Sequence, residues 1–308
     1  MKRLLSVFVV LVVVSSVVFA ERETVGTSGA VFLKIPAGSR PSAMGDAFTG
    51  VSDDVNAIFF NPAGTAALEK FEFSAMYYSW FQNIKYNALG VAYPAKDIGT
   101  LGLGILNLGV EGIEERINDT TTPNSTFSAG DYAYLLHYSR SFGSILNAGV
   151  NIKIIQQKIQ SYTSNTAIGA DVGFFHKHKD RPITLGLAIQ NIGSGTKFIN
   201  TTDPLPMTIK LGGAYRLINN KLLIALDVNS PRDNDIYLAV GSEYQIPINE
   251  WDFAVRLGYK TISSEKLGGL SGLGAGLGVF YKQFGFDFAW VPYGLLGDTL
   301  RYSFVVKF

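Results

Sequence analysis

The sequence contains no cysteine. That excludes a disulfide framework, a thiolate metal site and the acylated cysteine of a lipoprotein. Charge is sparse, at 17% of residues, and nearly balanced at a formal +1, so nothing in it marks a nucleic-acid partner. Only three histidines are present. After the first twenty residues no stretch supplies the 18 or so consecutive apolar residues of a spanning helix. What the chain of 308 residues has instead is 33 glycines and 13% aromatics, a composition that suits a β-rich protein.

The N-terminus reads as an export signal. Lys2 and Arg3 precede the apolar run Leu4–Val14, and Val18-Phe19-Ala20 offers a small residue for cleavage ahead of Glu21. An anchor helix is the rival reading, but the uncharged run from Leu4 to Ala20 is short of the roughly 20 residues such a helix prefers. Loss of Lys2 and Arg3 takes the 26 basic residues to 24 against 25 acidic ones, leaving the mature chain near neutral.

Beyond residue 70 the chain alternates with period two. Leu300, Tyr302, Phe304, Val306 and Phe308 share one face, opposite Arg301, Ser303, Val305 and Lys307. Phe284, Phe286, Phe288 and Trp290 alternate with Gln283, Gly285, Asp287 and Ala289 in the same way. A soluble sandwich alternates too, but it exposes more charge than this chain carries. Aromatics near strand ends (Trp80, Tyr93, Tyr138, Trp251, Tyr259, Tyr281, Trp290, Tyr302) fit the interfacial girdles of a membrane barrel.

The runs number fourteen: 70–80, 83–94, 99–110, 130–141, 145–157, 164–177, 183–192, 206–216, 221–229, 235–246, 250–261, 269–281, 283–291 and 298–308. Long connections (Glu111–Ala129, Gly193–Leu205) alternate with short ones (Ala95–Ile98, Pro247–Asn249), as in barrels with both termini in the periplasm. The expected fold is therefore all-β, a fourteen-stranded antiparallel transmembrane barrel. Its lipid-facing rows are apolar, and Lys153, Asp171, Lys210, Arg216, Asp227, Glu243, Arg256, Asp287 and Arg301 point inward. Such an interior serves either as a substrate-selective lumen or simply as a wet, self-neutralising one.

Residues 21–69 break the rhythm and are too few for a separate domain. In "SAMGDAFTGVSDDVNAIFFNPAG", Asp53 or Asp54 could cap a short helix from Val55, and Asn61-Pro62 has the form of a helix start. Ala43, Gly45 and Ala47 allow close packing, with Met44, Phe48, Ile58, Phe59 and Phe60 as apolar anchors. A barrel this wide leaves space its own side chains do not fill. The segment is thus expected as a helical hatch in the lumen, packing under the rim being the alternative. The division is 1–20 signal, 21–69 hatch and 70–308 barrel.

The motif Ala43-Met44-Gly45-Asp46-Ala47, Asp53-Asp54 and Asn61-Pro62-Ala63 resembles the N-terminal signature of PorV/PorQ-like outer-membrane proteins, which belong with the FadL-type long-chain fatty-acid channels. The order of parts covers the mature chain, although only the N-terminal motif is specific. The resemblance implies a fourteen-stranded barrel in the outer membrane with the hatch folded inside. It also implies either passive, hatch-gated passage of fatty-acid-like ligands, leaving sideways near a kinked third strand, or binding of secreted protein cargo in a type IX-like system. Phe48, Ile58, Phe59 and Phe60 are then the expected ligand contacts. In "TLGLGILNLGV" the apolar phase slips at Ile105/Leu106, which predicts a bulge there with Gly102, Gly104, Leu106 and Gly109 as a lateral-opening candidate. An ordinary rim bulge would read the same.

No catalytic constellation is present. His176, His178 and Asp180 share a predicted basic turn without the fixed scaffold a metal needs. His137 has no sequence-adjacent partner. "GGLSGLGAGLGVF" lacks the ending and context of a phosphate loop, and Gly274, Gly276 and Gly278 clear one strand face instead. No enzyme activity, cofactor or metal is expected, and the partners are the lipid bilayer and a hydrophobic ligand or cargo. Purely structural service at the cell surface is the third reading. N-terminal sequencing of protein recovered from the cell envelope should begin at Glu21; a chain retaining Lys2 and Arg3 would identify the apolar run as an anchor.

Overall fold

Alternation along every strand lets the sheet close on itself, because one face of each strand suits hydrocarbon and the other does not. A computed structural model describes residues 24–263, 268 and 270–308; the expected signal peptide lies outside them. Fourteen antiparallel strands form the wall: β1 (Glu72–Ser79), β2 (Lys85–Ala95), β3 (Gly99–Glu115), β4 (Ser125–Phe142), β5 (Leu146–Ile159), β6 (Ala167–Lys177), β7 (Ile183–Gly193), β8 (Thr208–Leu217), β9 (Leu222–Pro231), β10 (Tyr237–Ile248), β11 (Trp251–Lys260), β12 (Leu273–Tyr281), β13 (Phe284–Pro292) and β14 (Asp298–Lys307). Each pairs with its sequence neighbours, and β1 closes the ring on β14 with Glu72 opposite Lys307 and Ser79 opposite Leu300. Two-residue ladders at Tyr162–Thr163 and between Thr196–Lys197 and Thr202–Asp203 decorate the loops.

The burial pattern is that of a wall with an apolar outside. On β4, Tyr134 and Leu136 are exposed while Leu135 and His137 are buried; on β14, Tyr302 and Phe304 are exposed while Arg301 and Ser303 are buried. A soluble barrel reverses this, and a wall facing lipid requires it. Short turns join β2–β3, β4–β5, β8–β9, β10–β11 and β12–β13 at one rim, and the longer connections gather at the other.

Three expectations change. The β3–β4 hairpin is longer than its alternation suggested: pairing continues to Glu115 and resumes at Ser125, well inside the expected loop. Backbone pairing needs no apolar face once a hairpin leaves the membrane, and exposed Glu111 and Glu114 mark this part as solvated. The bulge is also elsewhere. Register runs unbroken through Ile105–Leu89 and Leu106–Ala88, and the shift falls between Val110 and Ile113, beside Gly112. Leu106 and Leu108 had mimicked a phase slip because they point inward and join an apolar cluster inside the wall. Finally, Trp80 leaves the expected girdle for that cluster, its ring 5.0 Å from Tyr293, whereas Trp251 and Tyr281 pair at 4.6 Å at the short-turn rim.

The N-terminal segment lies against the inward face of the wall. It has only short helical pieces: a 3-10 turn at Val31–Lys34, α1 (Ser39–Ala43), α2 (Ala57–Phe60) and a 3-10 turn at Pro62–Ala67. Glycines on the wall strands let its backbone approach. A Cβ at Gly258 or Gly241 would overlap Met44, one at Gly274 would overlap Ser42, and one at Gly186 would overlap Thr49. Gly149 and Gly173, opposite each other on β5 and β6, do the same for Asn61-Pro62. Gly276 clears space for Ala43, but Gly278 serves a different purpose and makes room for the Arg256 guanidinium.

Gly258→Ala should therefore displace the segment at a cost of about 1–3 kcal/mol or more, read as faster chymotryptic cleavage after the buried Phe48 with β-sheet circular dichroism unchanged. Gly109→Ala, where nothing lies within 4 Å of the added carbon, should leave cleavage as in the parent.

Candidate functional site

Backbone that is neither helix nor sheet must find partners for its N–H and C=O groups when it leaves water. Here inward side chains of the wall supply them. Asp227 accepts from the amides of Phe48 and Thr49 at 3.0 and 2.8 Å. Gln190 donates to the Phe59 carbonyl at 2.8 Å, Asn151 to that of Ile58 at 2.8 Å, and Thr184 to that of Gly50 at 2.6 Å. Glu72 accepts from the Val55 amide at 2.9 Å, and Ser303 accepts from that of Ser39 at 2.9 Å. Asn61 accepts from the Ala63 amide, as a cap should, while its side-chain amide also donates to Thr49 and Phe174 carbonyls.

Toward the short-turn rim the contact is ionic. Arg40 of α1 grips Glu243 of β10 in a two-pronged pair, Nε and Nη2 donating at 2.7 and 2.9 Å. Its Nη1 donates to Asp53 and Asp54 at 2.6 and 2.7 Å. Arg256 of β11 shares Glu243 at 2.6 Å and reaches Asp287 at 2.6 Å, and Arg216 pairs with Asp53. Burial alone would lower the Arg40 pKa, but Asp53, Glu243 and Asp54 outweigh it and hold the guanidinium well above its usual range. At Asp53 burial works to raise the pKa, and Arg40 and Arg216 prevail, holding the carboxyl below its usual value. The acidic pair is thus chiefly a set of ion partners. Asp54 does accept from the Asn56 amide at 2.8 Å, but no side chain caps α2. Asp46 goes to Lys260 at 2.6 Å.

A second cluster links the Pro62–Ala67 turn to β4–β6. Thr65 bonds to His137 Nε2 at 2.6 Å, His137 Nδ1 donates to Asn151 Oδ1 at 2.7 Å, and Asn151 Nδ2 donates to Asp171 at 2.8 Å. Asn151 Oδ1 only accepts, so the imidazole proton sits on Nδ1. These partners come from different strands, which no local spacing could reveal. His178, by contrast, makes only a local turn contact with the Asp180 amide.

In the long-loop half a cavity of about 150 Å³ remains between segment and wall. Phe59, Phe60, Leu33, Ile35, Leu106 and Leu135 form its apolar side, and Lys34, Lys153, Lys210 and Lys260 contribute ammonium groups. Of the four expected ligand contacts, Phe59 and Phe60 line it. Phe48 and Ile58 are fully buried away from it, Phe48 supporting Phe60 edge-on at 5.3 Å. Leu106 also lines the cavity, whereas Gly102 and Gly104 face Ile58 and Phe59 and leave them room. Gly109 contacts neither. Ala43, Met44 and Gly45 pack on the glycines of β10–β12, and Pro62 and Ala63 on β5 and β6.

Among solved structures, the chain resembles the CymD monoaromatic hydrocarbon channel, with a TM-score of 0.60 and 11% identity over 88% of this chain and 97% of that one. It similarly resembles the Ralstonia pickettii toluene transporter TbuX (0.57, 10%, covering 88% and 98%) and a Pseudomonas aeruginosa FadL homologue (0.54, 13%, covering 88% and 98%). At these identities the likeness concerns the fold: a FadL-like barrel. A model of an uncharacterised protein family (UPF0164) matches residues 10–114. No curated protein matches the sequence.

Removing the carboxylate shared by Arg40 and Arg256, as in Glu243→Ala, should lower unfolding stability by about 3–5 kcal/mol because two buried guanidinium groups lose their partner. Lys282→Met, which breaks the exposed pair with Glu250 at 3.6 Å, should change it by less than about 1 kcal/mol. Urea titration of the refolded protein in detergent compares the two.

Proposed function

We propose that this protein is an outer-membrane channel for hydrophobic or amphipathic small molecules, in which residues 21–69 act as a hatch inside the barrel 70–308 and residues 1–20 direct export. One observation carries the reading. The later part of the N-terminal segment fills the short-turn half of the interior while residues 24–35 run along the long-loop rim against Pro204 and Asp233, leaving between them a partly apolar cavity floored by Phe59 and Phe60. With the short turns on the periplasmic side, the cavity lies toward the outside of the cell beside residues 24–37 at the long-loop rim, and the remainder of the hatch stands between it and the periplasm. A small molecule with an apolar body would rest on Phe59 and Phe60 until the hatch shifts.

The similar folds of CymD, TbuX and the FadL homologue agree with this reading, since the first is described as a monoaromatic hydrocarbon channel and the second as a toluene transporter. Chemistry on the substrate is not part of it: the buried His137 chain is consumed in holding backbone and turn. Release through the third strand has no support in the pairing, which is continuous across Gly102, Gly104 and Gly109. Movement of the segment is the simpler route.

A reversible staple tests it. The hydroxyls of Ser39 and Ser303 lie 2.9 Å apart, and the chain has no cysteine to interfere. In Ser39→Cys with Ser303→Cys, oxidation should reduce uptake of a naphthalene-class fluorophore into liposomes to the protein-free rate, and reduction should restore it. Unchanged uptake with the disulfide fully formed would make the segment a fixed filler.

A further inference from the structure

One of the ammonium groups lining the cavity has no anion in contact with it. Four lysines line it, and three have a carboxylate: Lys34 with Asp233 at 2.8 Å, Lys153 with Asp171 at 2.8 Å and Lys260 with Asp46 at 2.6 Å. Lys210 has neither an ion pair nor a hydrogen bond among the described residues; the carboxylate of Asp227 on the neighbouring β9 acts on it from beyond ion-pair distance, its Oδ2 already accepting the amides of Phe48 and Thr49. Its ammonium lies over the face of Phe60, 5.1 Å from the ring centroid. Tyr237, across the same cavity, likewise has a hydroxyl with no hydrogen-bond partner among the described residues. An ammonium surrounded by wall and aromatic ring is costly to leave without an anion. The two unpartnered donors stand beside the apolar surface of Phe59, Phe60 and Leu106.

We infer that this cavity binds a small monoanionic organic acid, its carboxylate on Lys210 and Tyr237 and its apolar body against Phe59 and Phe60. One ammonium without an acceptor in contact takes one carboxylate; a dianion would have to break the pairs that hold Lys153 or Lys260. Size limits the body. An apolar cavity of roughly 150 Å³ accepts a single benzene ring, so a one-ring or short-chain acid fits and a long alkyl chain does not. The inference rests on the channel reading only in placing this cavity on the path of passage; binding itself does not require transport.

Equilibrium binding to the full-length purified protein, by calorimetry in mild detergent, decides the matter with benzoate and its uncharged counterpart benzyl alcohol. A charge-assisted bond contributes about 1.5–3 kcal/mol, so benzoate should bind about tenfold or more tighter than the alcohol. Lys210→Met should bring benzoate down to the level of the alcohol while leaving the alcohol unchanged, which also shows that the cavity is still formed. Lys210→Arg should keep the preference. Equal affinity for the two compounds, benzoate binding indifferent to Lys210→Met, or no binding of either would each overturn the inference. Fluorophore uptake measured on the same preparation keeps the two readings apart. Uptake without benzoate binding sinks the acid site and leaves the channel standing; benzoate binding without uptake does the reverse.

Discussion

A wall of fourteen strands encloses more space than its own inward side chains fill, and the rest of the molecule answers that constraint. The space is taken up by a segment with almost no regular structure. Such a segment cannot satisfy its own backbone, so the wall does it through Asp227, Gln190, Asn151, Thr184, Glu72 and Ser303. Nor can it approach a wall of ordinary side chains closely enough for those bonds to form. Glycines on β5–β8 and β10–β12 remove the obstruction. The polar inner face and the glycine-rich composition are two consequences of one packing problem.

The interior is divided along its length. In the short-turn half, Arg40, Arg216 and Arg256 interleave with Asp53, Asp54, Glu243 and Asp287. The buried pairs among them, those of Arg40 and Arg256 with Asp54, Glu243 and Asp287, contribute little net stability against an apolar alternative, yet they tolerate no missing partner. They therefore specify where α1 must sit more than they strengthen the fold. In the long-loop half the segment withdraws from part of the wall, and the cavity opens between Phe59, Phe60 and the lysines. The tight half and the hollow half are joined by α2, whose residues Ile58 and Phe59 are held from the wall by Asn151 and Gln190.

The fourteen strands were legible because hydrocarbon outside and polar contacts inside impose a period of two that survives at single-residue resolution. The same rule misled where it stopped applying. On β3, Leu106 and Leu108 face an apolar cluster inside, so both faces read as apolar and imitated a bulge that lies instead near Gly112. Beyond the membrane the β3–β4 hairpin keeps its pairing without any alternation to announce it. Within the N-terminal segment, Asn61 was recognisable as a cap because a cap is local. Asp53 was not recognisable as a ligand of Arg40 and Arg216, because Arg216 is 163 residues away.

Local and repetitive features belong to the sequence alone: the number of strands, which face of each looks inward, the alternation of short and long connections, and the stretch that is not wall. Only closure of the barrel decided which inward groups meet. It set Arg40 on Glu243, seated Met44 in the space left by Gly258, placed His137 between Thr65 and Asn151, and left Lys210 over Phe60 with no carboxylate in contact. The reason is geometric. Period and turn chemistry act between neighbours in the chain, whereas the occupant of a lumen touches strands distributed around the whole ring, at separations no pattern in the sequence encodes.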